Sequence, residues 1–537
     1  MPSSCIIVCL IKSNLALCQK GNDLNMKLKA HMKYLLFAVS IFPILLLSFY
    51  NFPSADDYSF AKASYQIYVN GGSFAEVMGA VFNRVATMYN TWQGNYTGVF
   101  LMSFTPMIIG GRGYFLGTIL GMAMLSWGIL YFMYQLCVKV FGLDNNRILS
   151  VGLLTLFIIF QCMPEGMVRV EGLYWYNSTI YYTFLQGLAY LFMGIAISNM
   201  FEKTVSKIVC NTIIAAVLAF LLGGANYLTA IICGIFSFIL LIVGIIFICF
   251  SAKKGNAGSS KIETDPWSYL KNKYIARLTK GSVYNVLPAI VFFIGFVISV
   301  VAPGNALRES DLGGFSPIKA VLISYYYVFS VAMSEWTNWA VCGLFIISIP
   351  LWWRAVKDKG SAFRFPLIIV LFLLSFNAAT ITPALYATGN ISAGRIQCIF
   401  WIQYVLLMEL AIGYLVGFAS KFIEIKNVDS KTSHRIFVLS IAMYVCFCIL
   451  CVIPDRNLFV GTEALNEIAS GTAAGYSAEN EIRLELLENA DISDVVIDQH
   501  KYQPELLFHS DITVSVDDWT NQAIAEYYGK NSVVLGE

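Results

Sequence analysis

Long apolar runs separated by short polar segments recur along most of the chain. Each run is close to the roughly 20 residues that an α-helix needs to cross the ~30 Å hydrocarbon core of a bilayer. A chain in lipid must satisfy its backbone hydrogen bonds internally, so the pattern predicts an all-α polytopic membrane domain. About eleven transmembrane helices are predicted, at 34–52, 113–138, 148–164, 180–200, 208–224, 228–250, 284–302, 335–353, 365–386, 397–419 and 435–453.

Three segments depart from this pattern. The pieces 95–110 and 318–333 are shorter or amphipathic, are predicted as interfacial or re-entrant, and leave the total between ten and thirteen spans. The tail, 454–537, alternates helix-like stretches (480–489 and 519–528) with strand-like ones (494–497 and 512–516), which predicts a small α/β module. The predicted organisation is therefore an N-terminal segment 1–33, a transmembrane domain 34–453 with a first outer loop 53–112, and the tail.

Composition and charge agree with a membrane protein. Of 537 residues, 58% are hydrophobic and 13% are charged, whereas a soluble domain carries about 25% charged residues. The N-terminal segment and alternate loops hold 24 of the 35 lysines and arginines, and such loops are cytoplasmic in membrane proteins. An odd number of spans then places the C-terminal tail on the outer face. The net charge of +2 gives no indication of nucleic-acid binding.

Two adjacent carboxylates, Asp56 and Asp57, follow the first predicted span on the outer side. One could serve as a general base while the other orients a hydroxyl, raises the pKa of its neighbour or holds a metal ion. The alternative is that the pair caps a helix beginning near Tyr58. If a divalent cation such as Mg²⁺ or Mn²⁺ binds here, these two residues are its candidate ligands, although oxygen ligands alone do not select the metal.

The rest of the first loop predicts a helix lying in the membrane interface. Apolar residues recur at helical spacing from Phe74 to Trp92, and the opposite face carries polar residues that include Glu76 and Arg84. An amphipathic helix of this kind lies in the bilayer surface instead of crossing it. It could cover a cavity at the bilayer boundary, or it could only seal the helix bundle.

Three arginines on the predicted outer side, Arg169, Arg308 and Arg395, contrast with the scarcity of cations there. The arginine fork pairs with phosphate oxygens, so these residues are candidates for binding an anionic lipid head group. The alternatives are side chains that extend to the interface or pair with nearby acids such as Glu171 or Glu309. No phosphate-cradling loop or dinucleotide fingerprint accompanies them.

Together, these features resemble the GT-C class of polytopic membrane glycosyltransferases. The closer likeness is to bacterial membrane proteins related to the serotype-converting glucosyltransferases of O-antigen modification. The matching pieces are Ala-Asp-Asp-Tyr at 55–58, Trp-Gln-Gly-Asn-Tyr at 92–96, Trp-Tyr-Asn-Ser at 175–178, Ala-Pro-Gly-Asn at 302–305 with Arg308, and Trp-Thr-Asn and Tyr-Tyr-Gly in the tail. Many relatives have arginine where this chain has Asn95, which puts a donor contact there in doubt.

The resemblance implies a multi-pass protein of the bacterial inner (plasma) membrane. A polyprenyl-phosphate-linked sugar would be the donor, and the acceptor would be an outer-face glycan, lipid or protein. Asp56 or Asp57 would deprotonate the acceptor hydroxyl, with inversion at the anomeric carbon, and arginines would hold the leaving phosphate. Residues expected to bind substrate are Arg308, Arg395, Arg169, Asn305, Trp92, Tyr96, Trp175, Tyr176 and Asn177.

Two other functions remain open from the residues alone. A transporter or flippase of a lipid-linked or small polar substrate would place ionisable groups inside the membrane, and Glu409 is the one acid well inside a predicted span. A non-catalytic scaffold of envelope polysaccharide assembly is the third hypothesis.

Overall fold

The structure is a computed structural model that describes residues 31–253, 274–309, 313–422, 430–453 and 455–536. The predicted N-terminal segment lies almost entirely outside the described residues, as does most of the longest basic loop. The described chain is mainly helical, with one small sheet near its end.

The first half of the chain contains seven principal helices. They are α1 (His31–Tyr50), α2 (Asp56–Val69), α3 (Phe74–Thr91), α4 (Tyr96–Ser103), α5 (Leu116–Val140), α6 (Asn145–Gln161) and α7 (Tyr176–Phe201). Short helical turns at Pro106–Ile109, Met167–Arg169 and Val170–Tyr174 join some of them.

The second half continues with nine helices up to the tail. They are α8 (Val205–Gly223), α9 (Tyr227–Lys253), α10 (Gly281–Val300), α11 (Pro303–Glu309), α12 (Pro317–Trp336), α13 (Trp339–Ala362), α14 (Pro366–Thr388), α15 (Gly394–Ala419) and α16 (Ser430–Val452). The tail adds α17 (Val460–Ala469), α18 (Thr472–Glu488), β1 (Asp494–Ile497), α19 (Trp519–Tyr528) and β2 (Ser532–Leu535).

Ten helices in the described part of the chain are long and apolar enough to cross a membrane, which makes this a multi-pass membrane protein. Nine of them coincide with predicted spans. Two other predicted spans appear as α6, which is shorter at 17 residues, and as α16. The tenth is α12, and its prediction as a short amphipathic or re-entrant piece stays a prediction, because length and hydropathy alone make it one of the ten. Its mean hydropathy of 1.2 is the lowest of the ten, because serines and tyrosines interrupt its apolar residues.

Glycines allow the spanning helices to approach closely. A Cβ on Gly187 of α7 would lie 2.5 Å from the backbone nitrogen of Leu125 in α5, and one on Gly223 of α8 would lie 2.6 Å from that of Phe296 in α10. Helices in lipid gain no hydrophobic driving force from one another, so such close backbone packing is a main source of their association.

The loops predicted to be cytoplasmic meet at one end of the bundle, here called the basic end (139–147, 274–280 and 354–364). Arg277 donates to the carbonyls of Lys139 at 2.6 Å and Val140 at 2.9 Å, and Arg147 donates to the carbonyl of Arg354. Helix α5 leads from this end to the opposite one, where Phe49 stacks on Phe115. The opposite end carries Asp56 and Asp57 and is called the site end.

The tail packs on the first loop at the site end. Tyr527 of α19 donates to the carbonyl of Met107 and stacks on Tyr65 of α2 at a ring-centroid distance of 4.0 Å. Within the tail, β1 pairs in parallel with β2, so the strand predicted at 512–516 is replaced by one at 532–535. The packing of α19 places the tail at the same end of the bundle as the first loop.

Candidate functional site

A tight turn at residues 54–57 begins helix α2 and positions the acidic pair. Ala55 adopts a φ of 50° and a ψ of −118°, a backbone conformation that is strained for a residue with a Cβ. Such strain costs on the order of 1–3 kcal/mol and persists only where surrounding contacts enforce it. Here the amide of Asp57 donates to the carbonyl of Ser54 at 3.2 Å, which closes the turn.

The carboxylate of Asp57 supplies the enforcing contacts. Its Oδ2 accepts from the amide of Ser54 at 2.9 Å, the hydroxyl of Tyr114 at 2.6 Å and the indole nitrogen of Trp175 at 3.1 Å. The residue is fully buried, and burial raises its pKa to about 7 in spite of these donors. Asp57 therefore holds the turn in place, but it is not the N-cap that the alternative expected: α2 begins at Asp56, and its N-cap residue is Ala55, with no side-chain capping bond.

Asp56, in contrast, is only partly buried and points to a different environment. Its carboxylate makes no hydrogen bond to the described residues. Burial raises its pKa above the ordinary value, and the positive groups of Arg395, His509 and Arg84 partly oppose this effect. The structure thus separates the environments of the two acids: Asp57 is buried and hydrogen-bonded, and Asp56 is partly exposed among positive groups.

Arg395 is held beside Asp56 by a second acid. Glu171 accepts from the backbone amide of Arg395 and from its guanidinium at 3.1 Å, and its Oε1 lies 3.6 Å from Nε2 of His509. Burial alone would raise the pKa of Glu171, but the His509 hydrogen bond and the Arg395 charge outweigh it and lower that pKa. His509 also stacks on Trp175 at a centroid distance of 4.0 Å. The side chain of Arg395 remains 39% exposed, so it can still bind an anion.

The other arginine of the site, Arg308, is exposed and rests on the first loop. Its guanidinium lies 4.8 Å from the ring centroid of Trp92, and it donates to Oε1 of Gln93 at 3.0 Å. Cation–π stacking of this kind orients the charge without neutralising it. No acid pairs with Arg308 among the described residues.

Two short motifs from distant parts of the chain interlock beneath Arg308. Asn305 accepts from the amide of Gly94 at 3.1 Å and donates to the carbonyl of Ser299 at 2.8 Å. A Cβ on Gly94 would lie 1.8 Å from that same carbonyl oxygen, and a Cβ on Gly304 would lie 2.4 Å from the amide of Trp92. Only glycine permits this approach, so the motifs at 92–96 and 302–305 act as one structural unit.

A large cavity of about 1090 Å³, here called the lateral cavity, opens between α9, α10, α12 and α14. One end is polar and the walls are apolar, a composition that suits a molecule with a polar head and a hydrocarbon chain. The polar end is lined by Gln93, Asn95, Tyr181, Tyr182, Asn305 and Arg308. Tyr182 also lies beside Arg395, and so it links the lateral cavity to the neighbourhood of Asp56.

The remaining predicted substrate residues are engaged within the protein. Trp175 is buried against Asp57 and His509, and Tyr176 donates to the carbonyl of Phe104 at 3.2 Å. Tyr96 donates to the carbonyl of Phe220 in α8 at 2.5 Å. Asn177 is 1% exposed, and neither polar atom of its side chain has a partner in the described structure.

Arg169 lies away from the lateral cavity and ties the tail to the bundle. It is 2% exposed, forms a buried ion pair with Glu463 and donates to the carbonyls of Met163 at 2.9 Å and Asn457 at 2.6 Å. Its pairing with an acid is thus what the structure shows, although the partner is Glu463 and not the nearby Glu171.

Helix α3 matches the predicted surface helix in extent, with a capping box of Ser73 and Glu76 at its start. Its apolar side chains are not all buried, and its polar side chains are not all exposed. Phe74 and Phe82 are exposed, whereas Arg84, predicted on the polar face, turns inward over the ring of Phe60 at 5.0 Å. Arg84 thereby joins the positive groups around Asp56.

The expectation of a divalent cation stays a prediction. In the described part of the chain, no three His, Cys, Asp or Glu side chains converge as metal ligands would. Asp56 faces Arg84 and Arg395, and the positive charges of these arginines oppose the binding of a metal cation beside Asp56.

The pattern of the sequence did not identify Arg84, Tyr182 or His509 as members of this site. Arg84 has the spacing of a solvent-facing residue, and His509 lies 452 positions after Asp57 in a tail of uncertain role. The available signal for His509 was its position beside a serine in an otherwise acidic segment, which is too weak to define a role.

Fold and cavity together define a class: a multi-pass helical membrane protein with a charged site at one end and an amphiphilic lateral cavity leading to it. Beyond that class, no protein-family model matches the chain. A comparison with curated proteins gives no match either.

Proposed function

We propose that the protein is a membrane glycosyltransferase that transfers a sugar from a polyprenyl-phosphate donor to an acceptor hydroxyl. The observation that carries the proposal is the continuous arrangement of the lateral cavity, Arg308, Tyr182, Arg395 and Asp56. A lipid-linked donor requires an apolar channel, an anion site and a nearby base in this order. These elements come from four separate parts of the chain.

The donor would enter the lateral cavity from the bilayer. Its isoprenoid chain would lie along the apolar residues of α9, α12 and α14, and its phosphate would bind at the polar end beside Arg308. The exposed guanidinium of Arg308, held against Trp92 and Gln93, offers charged donors to a phosphate. The sugar would then extend past Tyr182 toward Arg395.

Asp56 would act as the general base. It removes the proton of the acceptor hydroxyl, whose oxygen attacks the anomeric carbon from the face opposite the phosphate, and the configuration inverts. The bond between the anomeric carbon and the phosphate oxygen breaks, and its electron pair stays on the phosphate. Fixed positive charge from the arginines stabilises this leaving group, while Asp57 keeps Asp56 in position through the 54–57 turn.

Orientation follows from the basic end. Lysine- and arginine-rich loops remain in the cytoplasm, so the site end and the tail would face outward in a bacterial inner membrane. A lipid-linked donor removes the need for a nucleotide sugar on that side, and the acceptor would be a cell-surface glycan, lipid or protein.

The test compares Asp56→Asn and Asp57→Asn with Asp517→Asn, a substitution of an exposed carboxylate in the tail. Transfer from a radiolabelled polyprenyl-phosphate sugar is measured in membranes containing equal amounts of inserted protein. Loss of a general base lowers rates by about 10²–10⁴-fold, and this is the expected effect of Asp56→Asn. Asp57→Asn should retain more activity, and Asp517→Asn should retain all of it. Full activity of Asp56→Asn would refute the proposed mechanism.

A transporter or flippase is the second candidate, and Glu409 is the observation that favours it. This residue of α15 is fully buried, accepts from the indole of Trp352 at 2.9 Å and leaves its Oε1 without a partner among the described residues. Ionisable groups inside the membrane often mark transport pathways. Substrate flux in proteoliposomes that Glu409→Gln abolishes, with no covalent product, would support this function over transfer.

A further inference from the structure

A second cavity, of about 360 Å³, lies between the first loop and the tail and is here called the tail pocket. One wall is formed by residues 51–55 and the loop 110–115, and the other by α18, α19 and residues 510–512. Its volume lies within the range of small-molecule sites. The tail pocket shares no lining residue with the lateral cavity, so it is a separate binding space.

The lining combines aromatic rings with fixed hydrogen-bonding groups. Tyr58 and Tyr476 contribute rings, and Asn480 contributes an amide. Arg483 and Asp511 form a two-pronged ion pair with distances of 2.7 and 2.9 Å. Tyr476 is only 4% exposed, so Tyr58, which is partly exposed, offers more ring surface to a ligand. An aromatic wall next to oriented polar groups suits a ligand with both C–H faces and hydroxyls.

The charges in the tail pocket balance. Arg112 and Arg483 carry two positive charges, and Glu481 and Asp511 carry two negative ones, so their formal sum is zero with His500 neutral. Arg483 is moreover already paired with Asp511 and donates to the carbonyl of Asp498. A phosphate or carboxylate therefore gains little net attraction here, in contrast with the polar end of the lateral cavity.

The loop at 110–113 brings backbone close to any ligand in the pocket. Gly110, Gly111 and Gly113 adopt φ values of 77°, 74° and 83°, a left-handed conformation that glycine adopts without strain. A Cβ on Gly111 would contact Pro53 at 3.4 Å. The loop is closed by its own backbone bonds, from the amide of Gly110 to the carbonyl of Met107 at 3.2 Å and from the amide of Gly111 to the carbonyl of Pro106 at 3.2 Å, and its glycines keep this wall of the pocket low beside Pro53.

We propose that the tail pocket binds a neutral saccharide unit. Its aromatic lining, its oriented polar groups and its zero net charge all match a polyhydroxylated, uncharged ring. That this saccharide belongs to the acceptor rests on the proposed function. Ala55 lines the pocket and Asp56 follows it directly, so a glycan anchored in the tail pocket reaches the base from the tail side while the donor arrives from the lateral cavity.

The test measures binding to the full-length protein in a zwitterionic detergent that has no sugar head group. Saturation-transfer difference NMR is recorded with neutral trisaccharides built from glucose, galactose, rhamnose or N-acetylglucosamine, and with glucose 1-phosphate as the anionic probe. At least one neutral trisaccharide should bind saturably and more tightly than glucose 1-phosphate. Leu484→Trp, which fills the pocket from α18, should weaken this binding at least tenfold.

The matched control is Glu485→Trp, which adds the same side chain at the exposed neighbouring position and should bind as the unaltered protein does. Asn480→Ala, a milder change, should weaken binding at least threefold while leaving thermal unfolding unchanged. The proposal is wrong if no neutral trisaccharide binds, if Leu484→Trp binds normally, or if glucose 1-phosphate binds best in an Arg112-dependent manner.

Failure of this proposal can be distinguished from failure of the proposed function. Asp56→Asn should retain trisaccharide binding and lose transfer. If Asp56→Asn loses transfer but no trisaccharide binds, the saccharide site is refuted and the glycosyltransferase proposal stands. Saturable, pocket-dependent binding by a protein whose transfer is unaffected by Asp56→Asn would refute the enzyme mechanism and retain the saccharide site.

Discussion

Asp57 should make the stability of the protein depend on pH near neutrality. Its pKa is raised from 3.8 to about 7 by complete burial. Between these two values the folded protein keeps a proton that the unfolded chain has lost, so the free energy of unfolding falls as the pH rises. Above about pH 7 both states are ionised, and this contribution becomes constant.

The size of the effect follows from linkage. One pKa unit corresponds to about 1.4 kcal/mol, so a rise from pH 5 to pH 7 should cost roughly 2–3 kcal/mol of stability through Asp57. The neutral amide introduced by Asp57→Asn resembles the protonated acid at every pH. For a chain of this length the unfolding entropy scales to about 1 kcal/mol per kelvin. The Tm of the variant minus the Tm of the native protein should therefore be about 2–3 °C larger at pH 7.5 than at pH 5.

The assay is thermal unfolding of purified protein followed by tryptophan fluorescence at pH 5, 6, 7 and 8. The measured quantity is the difference in Tm between Asp57→Asn and the native protein, because other titrating groups contribute equally to both. Asp518→Asn is the control: its hydrogen bonds to Thr520 lower the pKa of Asp518, so its Tm difference should be constant over this range. A constant or falling difference for Asp57→Asn would contradict the assigned role of burial.

Three further predictions concern the lateral cavity and the tail. Arg308→Ala should raise KM for the polyprenyl-phosphate donor by about 10–100-fold, the size of one lost charged hydrogen bond. If the variant and the native protein have the same KM, the donor phosphate does not bind at Arg308. Gly94→Ala should lower the Tm and the activity because its Cβ meets a carbonyl at 1.8 Å, whereas Gly79→Ala, with open space around it, should leave both unchanged. Arg169→Met should leave Glu463 buried without its partner, lower the free energy of unfolding by about 3–5 kcal/mol and speed proteolytic release of the tail. Adding Glu463→Leu to this variant should reverse much of that loss. Unchanged proteolysis of Arg169→Met would contradict the inference that this ion pair ties the tail to the bundle.

Local patterns were sufficient for most of the membrane domain. Nine spanning helices follow from apolar runs because each run must be buried in lipid whatever its neighbours are. The common location of the basic loops also follows from the chain, since the bias of lysine and arginine acts on each loop separately. Helix α12 was predicted as a shorter piece because hydropathy averages over its tyrosines and serines, two of which, Ser324 and Tyr325, line the lateral cavity.

The distinction between the two acids was decided by the tertiary structure alone. The sequence placed Asp56 and Asp57 just after the first span, with a helix near Tyr58 as one alternative, and adjacent positions in a chain carry no information about which of them is buried. Tyr114 and Trp175 bind one carboxylate, while Arg84, Arg395 and His509 surround the other. Packing brings in these partners from positions tens to hundreds of residues away in the chain. Burial and neighbouring charge, the quantities that control acid–base chemistry, exist only after that packing has occurred.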